Sequence, residues 1–142
     1  MTDCLLLDTH ITLWLDMGDT RLATRTRDRI DGVWQQGGRV IVSAVMAMEI
    51  SQLAWRGRLR LDLSPDAWIR RLLRLPGFEG AAITPEIAAR AYMLSDLSHA
   101  DPADRLPVAT AIDPGCPLIT YDERIIAFAT SHGSRYGFAV ES

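Results

Sequence analysis

Four acidic residues stand at separated points of the chain, each within or just after an apolar segment: Asp8 after Cys4-Leu5-Leu6-Leu7, Glu49, Asp104, and Asp122 after Pro117-Leu118-Ile119-Thr120-Tyr121. Carboxylates delivered from the ends of several strands and helices repel one another where they converge, and Mg²⁺ or Mn²⁺ relieves that repulsion. A divalent cation held this way lowers the pKa of a water and stabilises a leaving oxygen, so the pattern suggests metal-assisted hydrolysis of a phosphodiester. No side chain has to be the nucleophile.

Each acid also has a structural reading. In Asp101-Pro102-Ala103-Asp104 the first Asp caps a helix, Pro102 holds the first helical position, and Asp104 favours the helix dipole from the first turn. Taken alone, Asp104 reads as structural. Thr120-x-x-Glu123 fits a capping box, which gives Glu123 to structure and leaves Asp122 as the candidate ligand. Glu49 lies among Met46, Ala47, Met48 and Ile50, and Asp8 follows three leucines; an acid in such surroundings needs a partner or a metal if buried. Thr9 and Thr120 read equally as caps or as donors to a neighbouring carboxylate or metal-bound water. His10 and His99 read as locally hydrogen-bonded rather than catalytic, and His132 beside Gly133 as a loop residue.

The elements that must position these acids alternate in type. Leu5 to Leu7 reads as a strand ending at Asp8, followed by a short helix through Ile11 and Trp14 that Gly18 closes. Leu22 to Gln36 reads as a helix stopped by Gly37-Gly38, and Val40-Ile41-Val42 as a strand. Ser43 caps a helix carrying Glu49 up to Gly57. Ser64-Pro65 and Thr84-Pro85 start two further helices on either side of a strand at Ala81 to Ile83. Asp101-Pro102 opens a helix towards Ile112, Leu118-Ile119 forms a strand, a helix follows Asp122, and Phe138 to Val140 is a last edge strand. The expectation is one α/β domain spanning 1–142, a parallel sheet of about four to five strands flanked by helices. In such a sheet ligands bind beyond the carboxyl ends of the strands, where Asp8 and Asp122 fall.

Composition sets the outer bounds. The 142 residues, 48% of them hydrophobic, suffice for one core. No apolar run is long enough to cross a bilayer and the N-terminus lacks basic charge, so a cytoplasmic protein with no membrane association is expected. Cys4 and Cys116 show no C-x-x-C spacing and read as two inert thiols. The net charge of −3 does not advertise nucleic-acid binding, but all fifteen basic residues are Arg. Arg56, Arg58, Arg60, Arg70, Arg71 and Arg74 fall in one stretch, which reads equally as a solvated face or as a patch facing RNA or a partner. Trp14, Trp55, Trp68, Met46 and Met48 read mainly as core, with a partner groove as the second reading.

Leu6-Leu7-Asp8-Thr9-His10, Val42-Ser43-Ala44 leading to Met48-Glu49-Ile50, His99-Ala100-Asp101-Pro102-Ala103-Asp104-Arg105-Leu106, and Leu118-Ile119-Thr120-Tyr121-Asp122-Glu123 together resemble the PIN domain, in particular the VapC toxins of bacterial toxin–antitoxin pairs. The resemblance spans nearly the whole chain in the right order. It implies a Mg²⁺-dependent (or Mn²⁺-dependent) endoribonuclease with Asp8, Glu49, Asp104 and Asp122 as its catalytic, metal-binding acids and Asp101 as a neighbour. It also implies an RNA substrate, a VapB-type antitoxin and a homodimer. Pro107 departs from the aliphatic residue usual in the family and threatens the helix just past Asp104. A receiver domain of similar size would need a lysine near the acids, and the chain has none. The alternative is a PIN-like binding module with weak or absent catalysis.

Overall fold

Alternation along the strands decides the layers. In a computed structural model describing residues 3–97 and 101–142, the order is β1 (Cys4–Leu7), α1 (Thr9–Met17), α2 (Thr24–Gln35), β2 (Arg39–Ser43), α3 (Ala44–Trp55), α4 (Pro65–Leu73), β3 (Phe78–Ala81), α5 (Pro85–Ala91), a 3-10 turn (Ser95–Leu97), α6 (Pro102–Ile112), β4 (Leu118–Ile119), α7 (Glu123–Tyr136) and β5 (Val140–Glu141). Leu5, Leu7, Val40 and Ile119 pack with Ile11 of α1 and with Ile30 and Val33 of α2. Leu6, Ile41 and Leu118 point the other way, onto Val108 of α6 and Ile125 and Phe128 of α7. Val42 extends the first layer towards Met46 and Ile50 of α3 and Trp68 and Leu72 of α4. Both sheet faces are therefore covered, which an all-parallel sheet requires.

The strand order is β3-β2-β1-β4-β5, every pair parallel. From β1 the chain winds outward through β2 and β3, then returns to the other side of β1 for β4 and β5. The winding reverses between β1 and β4, and a crevice opens at such a switch point beyond the carboxyl ends.

Local chemistry explains most element boundaries. The Ser43 hydroxyl accepts from the Met46 amide at 3.2 Å and caps α3, and Thr84 caps α5 by accepting from the Ile87 amide at 3.1 Å. Gly18 ends α1 at φ 64°, a left-handed conformation that costs glycine little. Pro107 lies inside α6 without ending it. The first turn of that helix is complete before Pro107, with the Asp104 and Arg105 amides donating to the Asp101 carbonyl at 2.9 and 3.1 Å, so the position of Asp104 is set upstream of the proline.

Several expectations are corrected. The third strand is Phe78–Ala81 rather than Ala81 to Ile83, because pairing of Val40 with Phe78 through Ser43 with Ala81 fixes its register, overriding weak strand propensity. The last strand is Val140–Glu141, while Phe138 is buried in the core under α7. His132 lies within α7 rather than in a loop, its Nδ1 3.8 Å from Asp96 Oδ2. Cys4 and Cys116 are not free thiols: they form a disulfide, with Cα atoms 5.3 Å apart. The register explains it, since Leu6 pairs with Leu118 and two residues back along both strands Cys4 faces Cys116.

Candidate functional site

Beyond the carboxyl ends of β1 and β4 the backbone itself presents the first acids. Asp8 follows β1 and caps α1, its Oδ1 accepting from the Thr9 amide at 2.8 Å. Its Oδ2 accepts from the Thr120 hydroxyl at 2.7 Å. Thr120 is fully buried just after β4, and its Oγ1 also accepts from the Asp122 amide at 3.0 Å. One hydroxyl thus orients the Asp8 carboxylate and shapes the turn that carries Asp122.

Asp122, not Thr120, caps α7: its Oδ1 accepts from the Arg124 and Ile125 amides at 2.9 and 3.4 Å. The capping box expected of Thr120 and Glu123 is therefore absent, because the Thr120 hydroxyl is already committed to Asp8, and Glu123 is exposed in the first helical turn. Glu49 reaches the rim from the second turn of α3, where its Oε1 accepts from the buried Thr9 hydroxyl at 2.9 Å. Thr9 and Thr120 both resolve to carboxylate donors.

Asp104 arrives from the first turn of α6 and its Oδ2 accepts from Arg124 Nη2 at 3.0 Å. Arg124 Nε also lies 3.9 Å from Asp122 Oδ1, so one exposed guanidinium leans over two of the acids. Asp101 is the exposed cap position of α6 and its side chain makes no capping bond.

The electrostatics tie the acids together. Burial pushes the Glu49 carboxyl above its ordinary value, the Thr9 hydrogen bond pulls it back, and the charges of Asp8 and Asp104 push it up again. Asp104 is also raised, by burial first, with Arg124 opposing and Asp122, Asp101 and Asp8 adding to the shift. These are half-buried carboxylates in one another's field, short of positive charge. Among the described residues, no three His, Cys, Asp or Glu side chains are drawn close enough to grip one ion. The donor set nevertheless suits a hard cation, and Mg²⁺ characteristically keeps several waters while using one or two carboxylates. Asp8 and Glu49 suit direct contact, since their threonine partners fix them and each oxygen retains a lone pair.

The structure thus brings Asp8, Glu49, Asp104 and Asp122 to one rim, with Asp101 at its margin. His10 is exposed on α1 against Trp14, the ring centroids 5.7 Å apart, and His99 lies outside the described residues. Arg124 went unnoticed in the sequence; its only signal was an arginine two residues after a rim acid. Of the middle arginines, Arg70 pairs with Asp66 and Arg71 with Asp62, in keeping with a solvated face. Trp68 and Met46 are core, Trp14 is half-buried, and Trp55 and Met48 are 86% and 57% exposed.

A sequence model of the PIN domain matches residues 5–130. That span covers most of the chain, and the chain belongs to the PIN-domain family. Its likeness is to the VapC-type members: over 120 residues, 84% of this chain and 88% of the relative, it is 33% identical to Ribonuclease VapC22 of Mycobacterium tuberculosis (strain ATCC 25618 / H37Rv). Two solved structures share the fold. VapBC2 from Rickettsia felis, bound to a DNA fragment from its promoter, superposes with a TM-score of 0.66 at 12% identity over 97% of each chain. FitAcB from Neisseria gonorrhoeae gives 0.64 at 19% identity, covering 97% of this chain and 96% of that one.

Proposed function

We propose that the protein is a Mg²⁺-dependent endoribonuclease, the toxin of a VapBC-type pair. The observation that carries this is the convergence of Asp8, Glu49, Asp104 and Asp122 at the sheet's switch point, with Thr9 and Thr120 aiming two of them. Asp8, Glu49, Asp104 and Asp122 would hold the cation, directly or through water. A bound Mg²⁺ supplies an activated water, neutralises the phosphate and stabilises the leaving oxygen. Arg124, exposed beside Asp104 and Asp122, would offer its guanidinium to the phosphate once a cation took over those carboxylates. A single-stranded segment or loop of RNA suits the rim, because its phosphate must approach an acidic cleft.

An antitoxin of VapB type and a homodimer complete the reading. Two observations support them: the structural neighbours include VapBC2 from Rickettsia felis and a toxin–antitoxin complex from Klebsiella pneumoniae, and Trp55, Met93, Tyr92 and Met48 are exposed by 86%, 74%, 67% and 57%. Large apolar side chains left outside a core are common anchors of interfaces.

The test is cleavage of a mixed RNA pool by purified protein with Mg²⁺ or Mn²⁺, beside an EDTA control and Asp8→Ala. Discrete cuts lost in both controls are expected. A folded, inhibitor-free protein that makes no metal-dependent cut is instead a binding module.

A further inference from the structure

Asp8 and Asp122 are also two walls of a cleft of about 400 Å³ whose other walls are mostly aromatic and cationic: His10, Trp14, Tyr121 and Arg21, with Ile11 between the first two. His10 and Trp14 stand one turn apart on α1, with centroids 5.7 Å apart and planes at 51°. Trp14 and Tyr121 lie 5.9 Å apart at 43°. The rings are fixed from behind. The Tyr121 hydroxyl is 2.6 Å from Thr26 Oγ1 and accepts from the Ala23 amide at 3.1 Å, while Trp14 packs against the Leu5, Leu7 and Ile30 cluster. Arg21 sits over the Trp14 ring, its guanidinium carbon 5.1 Å from the centroid. Both its Nε and its Nη2 donate to Asp19.

Its charge already paired, Arg21 offers the cleft a flat face rather than a phosphate clamp. The acidic wall repels phosphate, and the aromatic wall offers stacking surfaces in a space typical of small-ligand sites. We propose that this cleft receives one unstacked nucleobase of the substrate strand, from the nucleotide next to the phosphate addressed by Asp8 and Asp122, stacked on the exposed His10 ring with the Trp14 and Arg21 pair as the adjoining wall. The proposal rests on the nuclease reading of the acidic rim. Stacking tolerates any base, so the pocket positions the strand and favours the larger purine faces.

The probe is a fluorescein-labelled RNA hexamer, and a series in which each position in turn is abasic, titrated with protein in Ca²⁺ and followed by anisotropy. For the wild type, one abasic position weakens binding about tenfold, within the range of a single stacking contact. Trp14→Leu and His10→Ala abolish that position's distinction, whereas Trp14→Phe keeps most of it. Because Trp14 packs on the core, the exposed His10→Ala carries the same readout on an unperturbed fold. Equal affinity at every abasic position, or a distinction that survives in His10→Ala and a folded Trp14→Leu, overturns the pocket. A position-specific loss without any metal-dependent cleavage of RNA supports the pocket and overturns the nuclease. No binding of the hexamer overturns the pocket, while metal-dependent cleavage of the mixed RNA pool decides the nuclease reading separately.

Discussion

The same two strands end in opposite ways. At their amino ends β1 and β4 are joined by the Cys4–Cys116 bond, and Leu5, Leu6, Leu7 and Leu118 just inside are almost wholly buried. At their carboxyl ends, four and six residues beyond the cysteines, Asp8 and Asp122 open a rim of half-buried carboxylates in mutual repulsion. One end holds the strands in register and the other accepts the cost of that repulsion. A covalent tie and a dry core at one end allow the other to keep a repulsion that Arg124 and the two threonines only partly relieve without loosening the sheet, the usual division between scaffold and site.

The largest expected effect breaks the rim alone. Asp8→Asn keeps the shape and the Thr9 amide bond but removes the charge, so cleavage should fall by more than about 100-fold, beyond the typical loss from an outer-shell partner. An Asn amide cannot accept at both positions, so the Thr120 hydroxyl bond is lost while repulsion within the rim falls, and the melting temperature should stay within a few degrees of wild type. A variant that cleaves RNA like the wild type would remove Asp8 from the chemistry. Next comes the opposite end: reduction of Cys4–Cys116, or Cys4→Ser, should cost about 2–4 kcal/mol of stability by denaturant titration, since the bond closes a long loop. Cleavage well below the transition should hardly change, and a large loss there would show that the two ends are coupled. The Thr120 hydroxyl bridges the comparison. Thr120→Val leaves Asp8 Oδ2 and the Asp122 amide without their partner, so cleavage should fall about 10- to 100-fold with weaker Mg²⁺ affinity, and Thr120→Ser should restore both.

The two ends were unequally legible in the sequence. Leu5 to Leu7 and Val40 to Val42 announce strands by composition, and each rim acid follows or interrupts an apolar run, so the acids could be picked out one by one. What the sequence withheld depends on register. Cys4 and Cys116 are 112 residues apart, and only the parallel pairing of Leu6 with Leu118 makes them neighbours. Thr120 read equally as a cap, its spacing to Glu123 being right, or as a donor to a neighbouring carboxylate; that the carboxylate is Asp8, again 112 residues away, only the fold shows. Arg124 was one arginine among fifteen, and its place over Asp104 follows from how α6 and α7 meet at the rim. Phe78 to Ala81 holds no β-branched residue, so its strand exists by virtue of β2 beside it.

The smallest effect concerns protons at the rim. Glu49 is raised from its ordinary value of 4.5 and Asp104 from 3.8. A carboxyl raised by folding stabilises the folded chain fully below its unfolded pKa, and that contribution is lost as pH rises through the higher folded pKa. Asp19, Asp62, Asp66 and Asp96 act in the other direction, lowered by hydrogen bonds from Arg21, Arg71, Ser64 and Tyr136. The raw pH profile therefore mixes both kinds, and the informative quantity is the difference between wild type and Glu49→Gln. That variant retains an acceptor for the Thr9 hydroxyl, and without divalent metal it should melt higher than wild type near neutral pH, with the gap closing as pH falls towards the ordinary carboxylate range. Mg²⁺ should narrow the gap at neutral pH by binding the ionised wild-type rim, each kcal/mol being worth about 2–4 °C in a domain of this size. If the two proteins melt together at every pH, with and without Mg²⁺, then Glu49 carries no strain and the rim is not poised for a cation.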